Sequence, residues 1–305
     1  LYDEKLPLVV PQVFMPRVRA VDSPAHKSGL FDETRPDNPL RDWTVVVLPY
    51  CTGDLHVGMT TLPYHYASEP GVPSALPDQF EIRHRGFDNF MVVLDWIQHN
   101  LAAPEQILVA GDSAGGYASI LTHPWLQKLY PRASMAVLAD SAQGVTSVGF
   151  DYGQPGRQSW NMQVPTWVFG SDFASLRGSD FLRLAAQASP QVRFAQYSRT
   201  KDGNQSMFYG YMKQYYGPGG SCPKVKPDWN EQMLAIQGAQ KQALPNFRAY
   251  LASGTEHTII GSTAFYDKPS WGPSMAQWVS DLLNAPAPAW HAVACPDCLN
   301  PLPCP

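Results

Sequence analysis

The hexapeptide GDSAGG, Gly111 to Gly116, constrains this chain more than any other segment. The apolar run Ile107 to Ala110 precedes it and a helix-like stretch follows, which is the setting of a nucleophile elbow. At such an elbow the chain leaves a strand and enters a helix through a sharp turn, and the serine hydroxyl is lifted clear of the sheet. The positions two before and two after the serine must be small, and Gly111 and Gly115 occupy them. Gly116 is expected to let the helix sit close to the strand. The helix N-terminus offers backbone N–H groups, that of Ala114 first, where an oxyanion would form. Ser113 is therefore the candidate nucleophile.

A chain of 305 residues that is 44% hydrophobic can bury a substantial core. Its net charge of −4 and singly scattered lysines and arginines provide no phosphate-tracking face, so nucleic acid is not an expected partner. No apolar stretch approaches the eighteen or so residues of a membrane helix. Charged residues make up only 16%, below the roughly 25% usual in soluble domains. Together with 29 prolines, nine tryptophans and 14 tyrosines, this balance suits a secreted or periplasmic hydrolase with rigid aromatic loops.

The order of elements predicts an α/β fold, a mostly parallel sheet with helices on both faces, in a single domain over 1–305. Residues 1–42 read as a surface-wrapping segment in which only Leu6 to Val13 resembles a strand. Thr44 to Leu48 (TVVVL) reads as a buried strand leading into the loop PYCTGD, a pocket candidate at a strand's carboxyl end. Phe87, Phe90, Met91, Leu94, Ile97 and Leu101 define the face of a crossover helix. Further strands are expected at Ile107–Ala110, Met135–Ala139, Val192–Tyr197 and Phe247–Leu251. Met275, Trp278, Val279 and Leu282 mark the inward stripe of a last helix, before a Pro- and Cys-rich tail at 285–305.

A serine hydroxyl needs an imidazole to take its proton and a carboxylate to orient that imidazole. On an α/β-hydrolase fold these follow the serine in the order acid, then histidine. His257, in SGTEHTII after the strand Phe247–Leu251, stands where the base belongs; His291 lies in the tail. Asp140, Asp172 and Asp202 each close an apolar stretch. Asp202 ranks first because it follows the strand just before the histidine strand, with Asp172 in reserve and Asp140 suited to a structural role. Ala114, Tyr50 and Cys51 are candidate oxyanion-hole residues. Thr52, Gly53, Asp112, Phe150, Tyr152 and Phe208 are candidate pocket residues, the aromatic ones on loops Ser147–Gly153 and Ser206–Met212.

Five segments, NPLRDWTVVVLPYCTGDLHVG, HRGFDNFMVVLDWI, ILVAGDSAGGYAS, RFAQYSRTKDGNQSMFY and YLASGTEHTI, together resemble the pectinacetylesterase family, which includes the Notum carboxylesterases. The resemblance spans 38–260, with a weaker match from WVSDLLN to VACPDC. It implies an α/β-hydrolase fold, no cofactor or metal, a triad on Ser113, Asp202 and His257, and an ester substrate such as an acetylated polysaccharide. A lipid or polyester hydrolase, an acyltransferase or a non-catalytic binding protein could use the same scaffold.

One departure stands out. The family pattern carries a Gly-rich segment with Trp and Cys shortly before the YC loop, whereas the glycines before Ser113 here are isolated. An upstream, cleaved segment of the same precursor, carrying that loop and a cysteine, is the expected partner. The five cysteines, Cys51, Cys222, Cys295, Cys298 and Cys304, are an odd number and agree with it. Cys295-Pro-Asp-Cys298 with Cys304 and His291 could hold zinc, but an exported chain favours disulfides. The sequon at Asn204-Gln205-Ser206 and the lone Arg85 are read as incidental.

Overall fold

The computed structural model describes residues 28–65, 79–152, 160–217 and 219–304. Leu6 to Val13, most of the proposed N-terminal wrap and Gly153 lie outside them. Two strands, β1 (Thr60–His65) and β2 (Gln79–His84), form an antiparallel pair apart from the main sheet. Helix α1 (Gly86–Asn100) then leads into β3 (Gln106–Asp112), and α2 (Ala114–Leu129) into β4 (Ser134–Asp140). Two short helices, α3 (Val148–Tyr152) and α4 (Thr166–Phe169), precede α5 (Asp180–Ala188) and β5 (Arg193–Arg199). The remainder runs α6 (Gly203–Tyr216), α7 (Val225–Ala243), β6 (Phe247–Ala252), α8 (Met275–Asn284) and β7 (Val293–Ala294).

Strands β3 to β7 form one parallel sheet in sequence order, with Asp112 level with Asp140 at the carboxyl ends of β3 and β4. A parallel sheet is buried on both faces, so its strands read as continuous apolar runs and sort their side chains by alternation. In β4, Met135, Val137 and Ala139 face one core with α2 and α5, while Ala136 and Leu138 face a second with α8. The expected stripe Met275, Trp278, Val279 and Leu282 lies wholly inside that second core. This is an α/β-hydrolase-like fold, as the sequence implies.

Four expectations change. Thr44–Leu48 forms no strand, and Val45 and Val46 are 44% and 39% exposed. β-branched residues favour a pleated, half-buried surface, but a strand exists only through its partner. Among the described residues none pairs with this segment. The outer side of β3 is likewise unpaired, and β3 is only half-buried where β4 is buried almost throughout. Helix α1 is not a crossover, because it joins the separate hairpin to the main sheet.

The third change concerns 28–42. Leu30 and Leu40 enter the second core, and the Leu30 N–H donates to the carbonyl of Ile260 at 2.7 Å, so this part is anchored and does not merely wrap the surface. Fourth, the tail contributes more than cysteines. Its β7 extends the sheet beside β6, Trp290 is buried, and the Trp278 indole donates to the carbonyl of His291. Disulfides join Cys222 to Cys304 and Cys295 to Cys298, leaving Cys51 as a thiol.

The elbow glycines are not equivalent. A Cβ on Gly111 would run into the Gly115 carbonyl oxygen, and one on Gly116 would lie 2.7 Å from the Ala142 Cβ and 2.9 Å from the Asp140 carbonyl oxygen. At Gly115 the nearest atom would be a carboxylate oxygen of Asp112 at 3.9 Å, an ordinary contact. Contrary to the motif rule, position 115 is sterically open. Gly111→Ala and Gly116→Ala should each lower stability in urea titration by about 1–3 kcal/mol through overpacking. Gly115→Ala, on the first turn of α2, should cost nothing or gain a few tenths of a kcal/mol from alanine's helix propensity.

Candidate active site

Ser113 links β3 to α2 with φ 53° and ψ −118°, a conformation that a non-glycine residue adopts only when its surroundings impose it. Three backbone bonds do so here. The Ser113 N–H donates to the Asp140 carbonyl at 2.8 Å, and the Ser113 carbonyl accepts from the N–H groups of Gly116 and Tyr117 at 3.0 and 3.4 Å. The side chain therefore stands at the head of α2, where the Ala114 N–H is free of the helix ladder.

Asp202 is wholly buried at the N-cap of α6, its Oδ1 accepting from the Gln205 N–H at 2.9 Å. The His257 Nδ1 lies 3.0 and 2.9 Å from the two Asp202 carboxylate oxygens. Fifty-five residues separate these side chains, and the backbone holds them together. Lys201 N–H donates to the Gly254 carbonyl and Gly203 N–H to the Thr255 carbonyl, so the turn after β5 is stitched to the loop after β6. The Gln205 side-chain amide adds a bond to Asp202 Oδ2 at 3.0 Å. An ordinary turn aspartate would have no reason to be so enclosed.

The His257 Nε2 is buried with no hydrogen-bond partner among the described residues. It therefore makes no bond to Ser113, although both residues line one cavity of about 1390 Å³. In unliganded enzymes such catalytic bonds are often open and close in the substrate complex. Asp172 is exposed at the start of a short 3₁₀ turn, away from that cavity, and Asp140 is wholly buried without a bond to the His257 ring.

Of the other expected residues, Tyr50, Ala114, Asp112, Phe150 and Phe208 line the cavity. Cys51, Thr52, Gly53 and Tyr152 do not, and for Thr52 the reason is internal bonding. Its hydroxyl donates to Asp54 Oδ1 at 2.5 Å and its carbonyl meets the His84 ring at 2.8 Å, which turns it inward. Buried Asp54 also accepts from the N–H groups of His56 and Gly86, at 3.1 and 2.8 Å, and so pins this loop to the start of α1. Gly53, with φ 67°, makes the bend and is buried. Cys51 is half-buried beside it, and that burial raises its thiol pKa. Burial likewise depresses the His56 imidazole to about 4, so it stays neutral near pH 7.

The aromatic segments expected as loops are helices. Ser147–Gly153 is mostly α3 and Ser206–Met212 is within α6. Phe208 and Met212, four residues apart on one face of α6, reach the cavity, and Phe150 reaches it from α3, whereas Tyr152 is 43% exposed. Arg85 pairs with Asp88 at the surface.

Gln205 and Asp54 are the residues that sequence reasoning missed. Gln205 sits inside the sequon and Asp54 inside the pocket loop, and neither pattern reveals which distant group the side chain will meet. Among the described residues no helix is long and apolar enough to cross a membrane.

A search of curated proteins finds no match to the chain. The family model described as Pectinacetylesterase matches residues 19–162, a stretch that includes the Tyr50–Gly53 loop and the Ser113 elbow and stops short of Asp202 and His257. Over residues 19–162, then, the chain is similar to the pectinacetylesterase family.

Proposed function

We propose that this protein is a secreted serine esterase whose single catalytic unit deacetylates polysaccharide or related esters through an acyl-enzyme. The observation that carries the reading is His257, bonded to buried Asp202, on the same cavity as the strained Ser113. In the first step Ser113 Oγ attacks the ester carbonyl and His257 Nε2 takes its proton. The tetrahedral intermediate collapses, the C–O bond to the alcohol breaks, and His257 returns the proton to the leaving alkoxide. Water then repeats the sequence: His257 removes its proton, hydroxide adds to the acyl carbon, and the carboxylic acid leaves as Ser113 is reprotonated. Asp202 keeps the Nδ1 proton on the imidazole and stabilises the imidazolium in both steps.

The Ala114 N–H supplies one oxyanion donor. The second comes from Tyr50, which lines the cavity where Cys51 does not, or from the Gly-rich upstream segment that the family pattern carries. Two disulfides support an oxidising, extracytoplasmic setting.

A longer acyl group is the second reading, favoured by cavity size. About 1390 Å³ exceeds the roughly 300–1,000 Å³ of common ligand pockets and far exceeds what an acetyl group fills. Release of 4-nitrophenol from acetate through octanoate esters tests both. A kcat/KM that is highest for acetate and falls with chain length supports the deacetylase. A profile that peaks at octanoate supports the lipid or polyester ester, and no release from any ester contradicts both.

A further inference from the structure

Resting on that triad, we propose that Asp140 is a positioning residue that ties the nucleophile to the general base. It lies at the carboxyl end of β4, wholly buried, between the elbow and the histidine loop. Its carbonyl accepts from the Ser113 N–H at 2.8 Å. Its carboxylate Oδ2 accepts from the N–H groups of Ile259 and Ile260 at 2.6 and 2.8 Å, two and three residues after His257. The neighbouring Ser141 hydroxyl donates to Asp140 Oδ1 at 3.0 Å and accepts from the Thr258 N–H at 3.1 Å. Three consecutive amides after the base are thus held by two consecutive residues at the end of one strand.

These bonds hold a geometry the loop does not favour by itself. Thr258 and Ser141 have φ of 66° and 57°, left-handed values that cost a non-glycine residue energy unless contacts over-determine them. The carboxyl is also kept at a cost, since burial outweighs the two amide bonds and pushes its pKa up to about 7. An apolar residue would fill the site without that cost but would leave the Ile259 and Ile260 amides unpaired. Asp140 does not touch the reacting atoms. It sets the separation of Ser113 and His257, to which proton transfer is acutely sensitive.

The test uses the whole protein with 4-nitrophenyl acetate as substrate. Wild type and Ser113→Ala are measured first, because an inactive wild type, or equal rates in the two, removes the esterase reading whatever Asp140 does. With that reading intact, Asp140→Ala should lower kcat by about 10–100-fold, the scale of a misplaced catalytic group, while KM stays within about twofold. Asp140→Asn, whose carbonyl can accept both amides and whose NH₂ can meet Ser141 Oγ, should restore kcat to within about threefold of wild type. The rate of Ser113 phosphonylation by a fluorophosphonate should follow kcat across the variants. Should Asp140→Ala not fold, Ser141→Ala releases the Thr258 N–H and the bond to Asp140 Oδ1 but leaves the Ile259 and Ile260 amides held, and should lower kcat by about threefold or more. Unchanged kcat in folded Asp140→Ala, or in Ser141→Ala where the first does not fold, would overturn the proposal. So would an Asn variant no better than the Ala variant.

Discussion

Replacing Ser113 with alanine is expected to reduce kcat for 4-nitrophenyl acetate by about 10⁴–10⁶-fold, the range that loss of a catalytic serine produces in enzymes of this type. The substitution removes only Oγ. The backbone bonds of residue 113 to Asp140, Gly116 and Tyr117 remain available to alanine, so the elbow should keep its shape. KM should change little, since the cavity walls and the Ala114 N–H are untouched. Stability should not fall, because no hydrogen bond among the described residues runs through the hydroxyl and the φ of 53° strains alanine and serine alike. Steady-state kinetics on the two proteins, with urea titrations to establish equal folding, check the expectation. A variant that retains a tenth or more of wild-type kcat would remove Ser113 from the chemistry.

The second large effect belongs to Asp202→Asn, expected to lower kcat by about 10³–10⁴-fold with the fold intact. Asparagine keeps an oxygen for the Gln205 N–H, so α6 retains its cap and the 2.9 Å bond there persists. Toward His257, however, a carboxylate oxygen is replaced by an NH₂ donor. The new donor favours the imidazole tautomer that accepts at Nδ1 and carries its proton on Nε2, the nitrogen that has to receive the serine proton. Asp202→Ala should show a similar loss of kcat plus about 1 kcal/mol of stability, because it loses the cap as well. Measuring kcat and urea stability for both variants separates the two roles of one carboxylate. Full activity in Asp202→Asn would mean that the His257 contact serves packing alone.

Local chemistry made much of the site legible before the structure. The steric demand of a strand-to-helix turn fixed attention on Ser113 with Gly111 and Gly115, of which only Gly111 is sterically required, and the chain order of acid and base selected Asp202 and His257. The expected strands Met135–Ala139, Val192–Tyr197 and Phe247–Leu251 correspond to β4, β5 and β6, because burial on both faces favours apolar-rich runs.

What escaped the sequence depends on partners. TVVVL has the composition of a strand and is none, because no neighbouring strand accepts its backbone among the described residues. Pairing is a property of two segments, and periodicity reports on one. The partners of Asp140, which the sequence marks only as structural, and of Gln205 were hidden for a related reason. Their roles lie in hydrogen bonds to Ile259, Ile260 and Gln143, about 60 to 120 residues away, and no spacing rule encodes such a meeting. Ser147–Tyr152 and Ser206–Met212 were read as loops because aromatic and small residues mask a helical period there.

The central claim is that Ser113 is a nucleophile activated by His257. Intact mass and peptide mapping after reaction with a fluorophosphonate test it most directly. One phosphonyl group per chain, on Ser113, with labelling slowed at least about 100-fold in His257→Gln, is the predicted result. Ester hydrolysis that persists while Ser113 stays unlabelled, or labelling that proceeds equally well without His257, would contradict it.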